Sequence, residues 1–98
     1  MTDEEYAIKI YCMALNTRDD NGDTDTQGVI EVIGELKERE QRALEYYFRM
    51  GLSYEKTAEE LGVSTATARN VIMRAKLKLR HHSRLIKMSV SRFKARLI

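Results

Sequence analysis

A chain of 98 residues, 43% of them hydrophobic, can bury one modest core but is too short to divide into two full domains. Proline and tryptophan are absent and aromatics make up only 7%, while Leu, Ala, Met, Glu, Lys and Arg are plentiful, so the composition predicts an all-α protein. No apolar run approaches the roughly 18 residues of a membrane span. The first residues, MTDEEYAIKI, are acidic where a signal peptide would be basic, and the expected location is the cytoplasm, with no membrane partner.

The net charge of +2 conceals an uneven distribution. Residues 1–40 hold 11 acidic and 4 basic side chains, a net −7, whereas residues 41–98 hold 4 acidic and 13 basic ones, a net +9. From Gly62 to Ile98 there is no Asp or Glu against ten Lys and Arg, and such a basic block favours a polyanion by releasing its condensed counterions.

In chain order, residues 3–16 place Tyr6, Ala7, Ile10, Tyr11, Ala14 and Leu15 at three- and four-residue spacing behind Asp3, Glu4 and Glu5, which predicts an amphipathic helix with anions at its positive end. Cys12, the single cysteine, falls on a half-buried position of this helix and reads as a structural thiol. Residues 17–28 contain no apolar side chain and read as a flexible acidic loop. Asp19, Asn21 and Asp23 alternate like the first ligands of a calcium loop, but the sixth position is Thr24 instead of glycine and the twelfth is Ile30 instead of glutamate, so calcium is not expected. A helix is expected next over about residues 29–39, and a firmer one over 40–50 carries Ala43, Leu44, Tyr47 and Phe48 on one side, with Gly51 placed for a left-handed stop.

Ser53 is a good N-cap for a helix ending at Leu61, Gly62 can take the positive φ of a tight turn, Val63 can plug the angle between two helices, and Ser64 can cap the next. The pattern predicts a helix-turn-helix over residues 53–80. Tyr54, Thr57, Ala58 and Leu61 face inward on its first helix, and Ala68, Val71, Ile72, Ala75 and Leu79 on its second. The opposite face of the second helix, Thr65, Ala66, Arg69, Asn70 and Met73, suits a major groove. Short side chains allow close approach, Arg69 can pair bidentately with guanine, Asn70 can pair with adenine, and Thr65 or Ala66 can touch a thymine methyl. Phosphate contacts are expected from Ser53, Ser64, Thr67, Arg74, Lys76, Lys78 and Arg80, and from Arg39 on an earlier helix. Residues 85–98 read as a basic amphipathic helix with Ile86, Val90, Phe93 and Leu97 in one stripe. His81 and His82 have no Cys or acid cluster to complete a metal site.

These blocks resemble region 4 of bacterial sigma factors of the primary type, the domain that reads the promoter −35 element. LKEREQRALEYYF (residues 36–48) resembles its first half, SYEKTAEELGVS (53–64) its first helix-turn-helix element and turn, and Arg69, Arg74-Ala75 and KLRHHSR (78–84) its recognition helix and terminal basic stretch. The resemblance covers about residues 36–84. It implies double-stranded DNA and RNA polymerase as partners. The family's usual Arg and Glu at two base-reading positions are replaced by Thr65 and Ala66, and Asn70 stands for a Gln, which implies a different target sequence. The expected organisation is an N-terminal helix with an acidic loop (1–28), a sigma region 4-like domain (29–84) and a C-terminal helix (85–98).

The function expected is therefore a sequence-specific, nucleoid-associated transcription regulator, at home in a phage or mobile element. The rivals are an interaction module that imitates region 4 on RNA polymerase, and a DNA-packaging or recombination accessory factor. The terminal helices offer routes to a homodimer. No catalytic set, phosphate-binding glycine loop or metal constellation appears, so neither an enzyme, a small-molecule substrate nor a cofactor is expected.

Overall fold

Thr2 starts the first helix with a reciprocal cap: its hydroxyl accepts the Glu5 amide at 3.2 Å and the Glu5 carboxylate accepts the Thr2 amide at 3.4 Å. The computed structural model describes residues 1–18 and 24–88, and the described residues are all-helical. Helix α1 (Asp3–Leu15) ends at Asn16, whose left-handed backbone (φ 51°) is one that asparagine tolerates better than most side chains. Asp19, Asn21 and Asp23 lie outside the described residues.

Helix α2 (Thr26–Gly34) begins three residues earlier than its apolar pattern suggests, because the Asp25 carboxylate accepts the Gly28 amide at 3.0 Å and so recruits the polar Thr26 and Gln27 into a first turn. A β-carbon on Gly28 would lie 2.5 Å from that same carboxylate and 2.7 Å from the Met88 methyl, so a larger residue there would have to displace the capping carboxylate and the Met88 side-chain end. The expected helix over 29–39 is thus two elements. The chain leaves α2 at Gly34, where Gln41 donates its side-chain amide to the Gly34 and Leu36 carbonyls (3.2 and 2.7 Å) and supplies the partners a continuous helix would have provided.

Helix α3 (Glu38–Leu44) runs directly into a π-helical turn, Glu45–Arg49, which contains the Met50 to Glu45 backbone bond of 2.9 Å. The wide turn replaces the regular helix expected to continue to Met50. It sends three successive aromatics to different neighbours: Tyr46 to Arg42, Tyr47 to Tyr54, and Phe48 to the core and Lys9. Gly51 closes it with φ 70°, as its position predicts. Arg49 pairs with Asp3 at 2.8 Å and lies 5.5 Å over the Tyr6 ring, which ties this turn to α1.

Helices α4 (Tyr54–Leu61) and α5 (Thr65–Arg80) form the helix-turn-helix. Ser53 accepts the Lys56 amide at 3.1 Å, and Ser64 accepts the Thr67 amide at 3.2 Å. Between them Gly62, at φ 69°, lets the Val63 and Gly62 amides reach back to the Ala58 and Glu59 carbonyls (3.0 and 3.2 Å), a Schellman stop. Ala68, Val71, Ile72, Ala75 and Leu79 are buried, as are Thr57 and Ala58, while Tyr54 and Leu61 are half-buried against Ala43, Val71 and Ile72.

The larger core unites α1 (Tyr6, Ala7, Ile10, Tyr11, Ala14), α2 (Val29, Val32, Ile33), Leu44, and Ala75 and Leu79 of α5 with Leu85. Residues 83–88 are helical, with Leu85 fully buried and Met88 against the core. Ile86, expected on the apolar stripe, is instead 42% exposed, because the face of this segment that meets α1 and α2 carries Leu85 and Met88. Val90, Phe93 and Leu97 lie outside the described residues. The apolar stripe of α1 is consumed by the chain's own core, so a homodimer through that stripe would have to unpack it. Cys12 packs half-buried beside the core.

Candidate nucleic-acid interface

Once Ala68, Val71, Ile72, Ala75 and Leu79 are buried, helical geometry forces the residues between them outward. Ala66, Arg69, Asn70 and Met73 are exposed, and Thr65 is half-exposed at the first turn. All five residues expected to read bases thus lie on the solvent side of α5. Leu77, one turn beyond Met73 and 52% exposed, extends the same stripe with a second large apolar side chain beside Met73, itself 54% exposed. Leu77 is absent from the face expected on sequence grounds, although its position four residues after Met73 is the signal.

Arg69 is held from behind. Its guanidinium lies 5.2 Å over the Tyr54 ring, and Tyr54 stacks on Tyr47 (4.6 Å between centroids, 15° between planes). Tyr47 meets Phe48 edge-on at 4.9 Å. A hydrogen bond to Tyr54 and burial between these rings raise the Tyr47 phenol above its ordinary range.

The residues expected on phosphates divide into three groups. Arg74, Lys76 and Arg80 are exposed and form no ion pair among the described residues. Arg39 joins Arg74 across a groove of about 290 Å³ between α3 and α5, lined also by Lys37, Glu40, Val71 and Lys78. Four cations thus face one carboxylate, Glu40, in this groove. Lys37, two residues before Arg39, is a member that the sequence pattern does not single out.

Lys78 is not a free cation. Its ammonium donates to Glu40 at 2.8 Å, and the same Glu40 oxygen accepts the Lys37 amide at 3.1 Å. Burial would raise the Glu40 carboxyl, but the Lys78 and Lys37 contacts outweigh it and hold it below the ordinary carboxylate range. Ser53 and Ser64 are likewise committed, since their oxygens cap α4 and α5, and Ser64 donates its proton to the Thr67 hydroxyl at 2.8 Å. What remains near them for an anion is the unpaired amide ends of the two helices and the Thr67 hydroxyl proton.

Two further members of the basic stretch after α5 are also engaged. His82 lies 2.7 Å from Glu35, and Arg84 donates to Glu31 at 2.6 Å. With Lys78 and Glu40 they form a ladder in which successive bases run against acids in the reverse order along α3 and α2. Three acids of the first part of the chain thus pair with Lys78, His82 and Arg84, while Arg80 and the outer α5 face stay open. No group of three or more metal-ligating side chains occurs among the described residues, and no described helix is long and apolar enough to cross a membrane.

A capped helix, a glycine turn and a second helix with an exposed polar and basic face define a helix-turn-helix DNA-binding protein. The family model of sigma-70, region 4 matches residues 26–79, more than half of the chain, and the chain belongs to that family. Domains of this family bind DNA and RNA polymerase. The match takes in α2, ahead of the expected start near residue 36, and stops before the His81–Arg84 stretch. No curated protein and no solved structure matches the chain.

Proposed function

We propose that the chain is a transcription regulator that binds one preferred double-stranded DNA sequence by placing α5 in the major groove. The observation that carries this reading is the exposed α5 face, small at Thr65 and Ala66 and polar at Arg69 and Asn70, flanked by the exposed cations Arg39, Arg74, Lys76 and Arg80, which form no ion pair among the described residues. With Thr and Ala at two reading positions it selects a sequence other than the −35 element. The regulator acts by binding alone, without catalysis or cofactor, in the cytoplasm at the nucleoid, and RNA polymerase is its protein partner. A phage or mobile element is the setting such a compact form suits.

Selection of bound duplexes from a random pool tests the proposal. A single enriched sequence is expected, followed by pull-down of RNA polymerase. Arg69→Ala should then cost about 1–3 kcal/mol on the enriched duplex and relax preference at one base pair, while Arg74→Ala should weaken all duplexes alike. If the pool yields no enriched sequence, or if both variants lose the same affinity on every duplex, base reading by α5 is wrong. Polymerase capture without any DNA selectivity would instead support the interaction-module reading.

A further inference from the structure

An arginine on an exposed helix face gives up rotamer freedom when it makes a bidentate contact, and any restriction already placed on its guanidinium lessens that loss. On α5 the restriction comes from another helix. Tyr54, the first residue of α4, places its ring 5.2 Å beneath the Arg69 guanidinium. Tyr54 is itself fixed on its other side by the nearly parallel Tyr47 ring at 4.6 Å, and Tyr47 by Phe48, which packs against both core clusters. A column of three aromatic side chains therefore runs from the core to the reading face and ends on one cation. Among the described residues, neither Asn70 nor Met73 has a comparable ring contact.

We infer that Tyr54 is a positioning residue for DNA recognition, holding Arg69 in a reading conformation without itself touching a base. The inference rests on the proposed major-groove role of α5. Its chemistry is that of a planar cation. Stacking uses the face of the guanidinium, and a guanine O6/N7 contact uses the donors on its edge, so one arginine can make both at once. A lysine ammonium has no separate face and edge and cannot. The Tyr54 ring supplies the support here, and the same ring makes the stacked contact with Tyr47.

The experiment compares affinities of the full chain for its enriched duplex and for a scrambled duplex at fixed salt. Tyr54→Leu should lower the ratio of the two by about three- to fivefold and leave scrambled binding unchanged, whereas Tyr54→Phe should keep the ratio within about twofold. Arg69→Lys should lose the preference with scrambled binding intact. If Arg69→Ala does not change the ratio, the base-reading role of Arg69 has failed; if Arg69→Ala abolishes the ratio and Tyr54→Leu preserves it, the positioning role alone is overturned. Equal losses on both duplexes for Tyr54→Leu would make Tyr54 merely structural and also overturn it. Should Tyr54→Leu not fold, the unsubstituted protein decides. The Arg69 Nε–H resonance, assigned through Arg69→Lys, is expected to be shifted upfield by the Tyr54 ring current, and an unshifted resonance overturns the inference.

Discussion

Glu40 stays ionised while almost wholly out of water, and two neighbours explain it: the Lys78 ammonium and the Lys37 amide share one of its oxygens. Its carboxyl is held below the ordinary value of 4.5, so it contributes stability above that pH, and the contribution is lost as pH falls through the depressed folded value. Glu40→Gln should therefore destabilise the protein at neutral pH by about 1 kcal/mol, a figure discounted for the 44% exposure of the Lys78 side chain. The gap to the unsubstituted protein should close below pH 4.5, which thermal unfolding across pH 3–7 measures. A gap that stays constant with pH would assign the cost to packing. At this scale the inward residues of α5 were legible from spacing alone, because each buried side chain answers to a three- or four-residue interval. Lys78 was not: its partner lies 38 positions away, and no local pattern carries such a pair.

At the scale of the element, the α4–α5 turn was legible because each of its parts is local. Ser53 and Ser64 cap the amides three residues ahead, and Gly62 takes the only left-handed position between them. A β-carbon on Gly62 would meet nothing within 4 Å, so Gly62→Ala strains the backbone without a clash. A loss of about 1–2 kcal/mol in chemical denaturation is expected, with Gly62→Asn costing less. Equal losses would indicate that the turn relaxes out of the left-handed region. The α2 start and the π turn were illegible for different reasons. Thr26, Gln27 and Gly28 carry no apolar signal and owe their helical state to the Asp25 cap, whereas residues 45–49 are as periodic as any helix and differ only in how the hydrogen bonds close.

At the scale of the whole molecule, the sequence showed charge asymmetry but not its geometry. The ladder of Glu40–Lys78, Glu35–His82 and Glu31–Arg84 folds part of the acidic half onto the basic half. Exposed pairs such as Glu31–Arg84 are worth about 0–1 kcal/mol, so Glu31→Gln should barely alter the melting temperature. It frees Arg84 for phosphate, however. The slope of log affinity against log salt on scrambled DNA should steepen by about one, read from binding titrations between low and moderate salt. An unchanged slope would mean that Arg84 does not reach the duplex.

The π turn at Glu45–Arg49 has a consequence for lineage. The i→i−5 closure holds one residue more than a regular turn, so Glu45–Arg49 takes up within itself the roughly 100° that an extra residue would otherwise impose on the helix beyond. A relative one residue shorter here could carry an ordinary helix with the same faces downstream, and the two chains would correspond only with the gap placed inside these five positions. Ungapped comparison of the two would pair Tyr47 with a residue from the wrong face. The aromatic support of the reading helix would then look lost when it had only been miscounted.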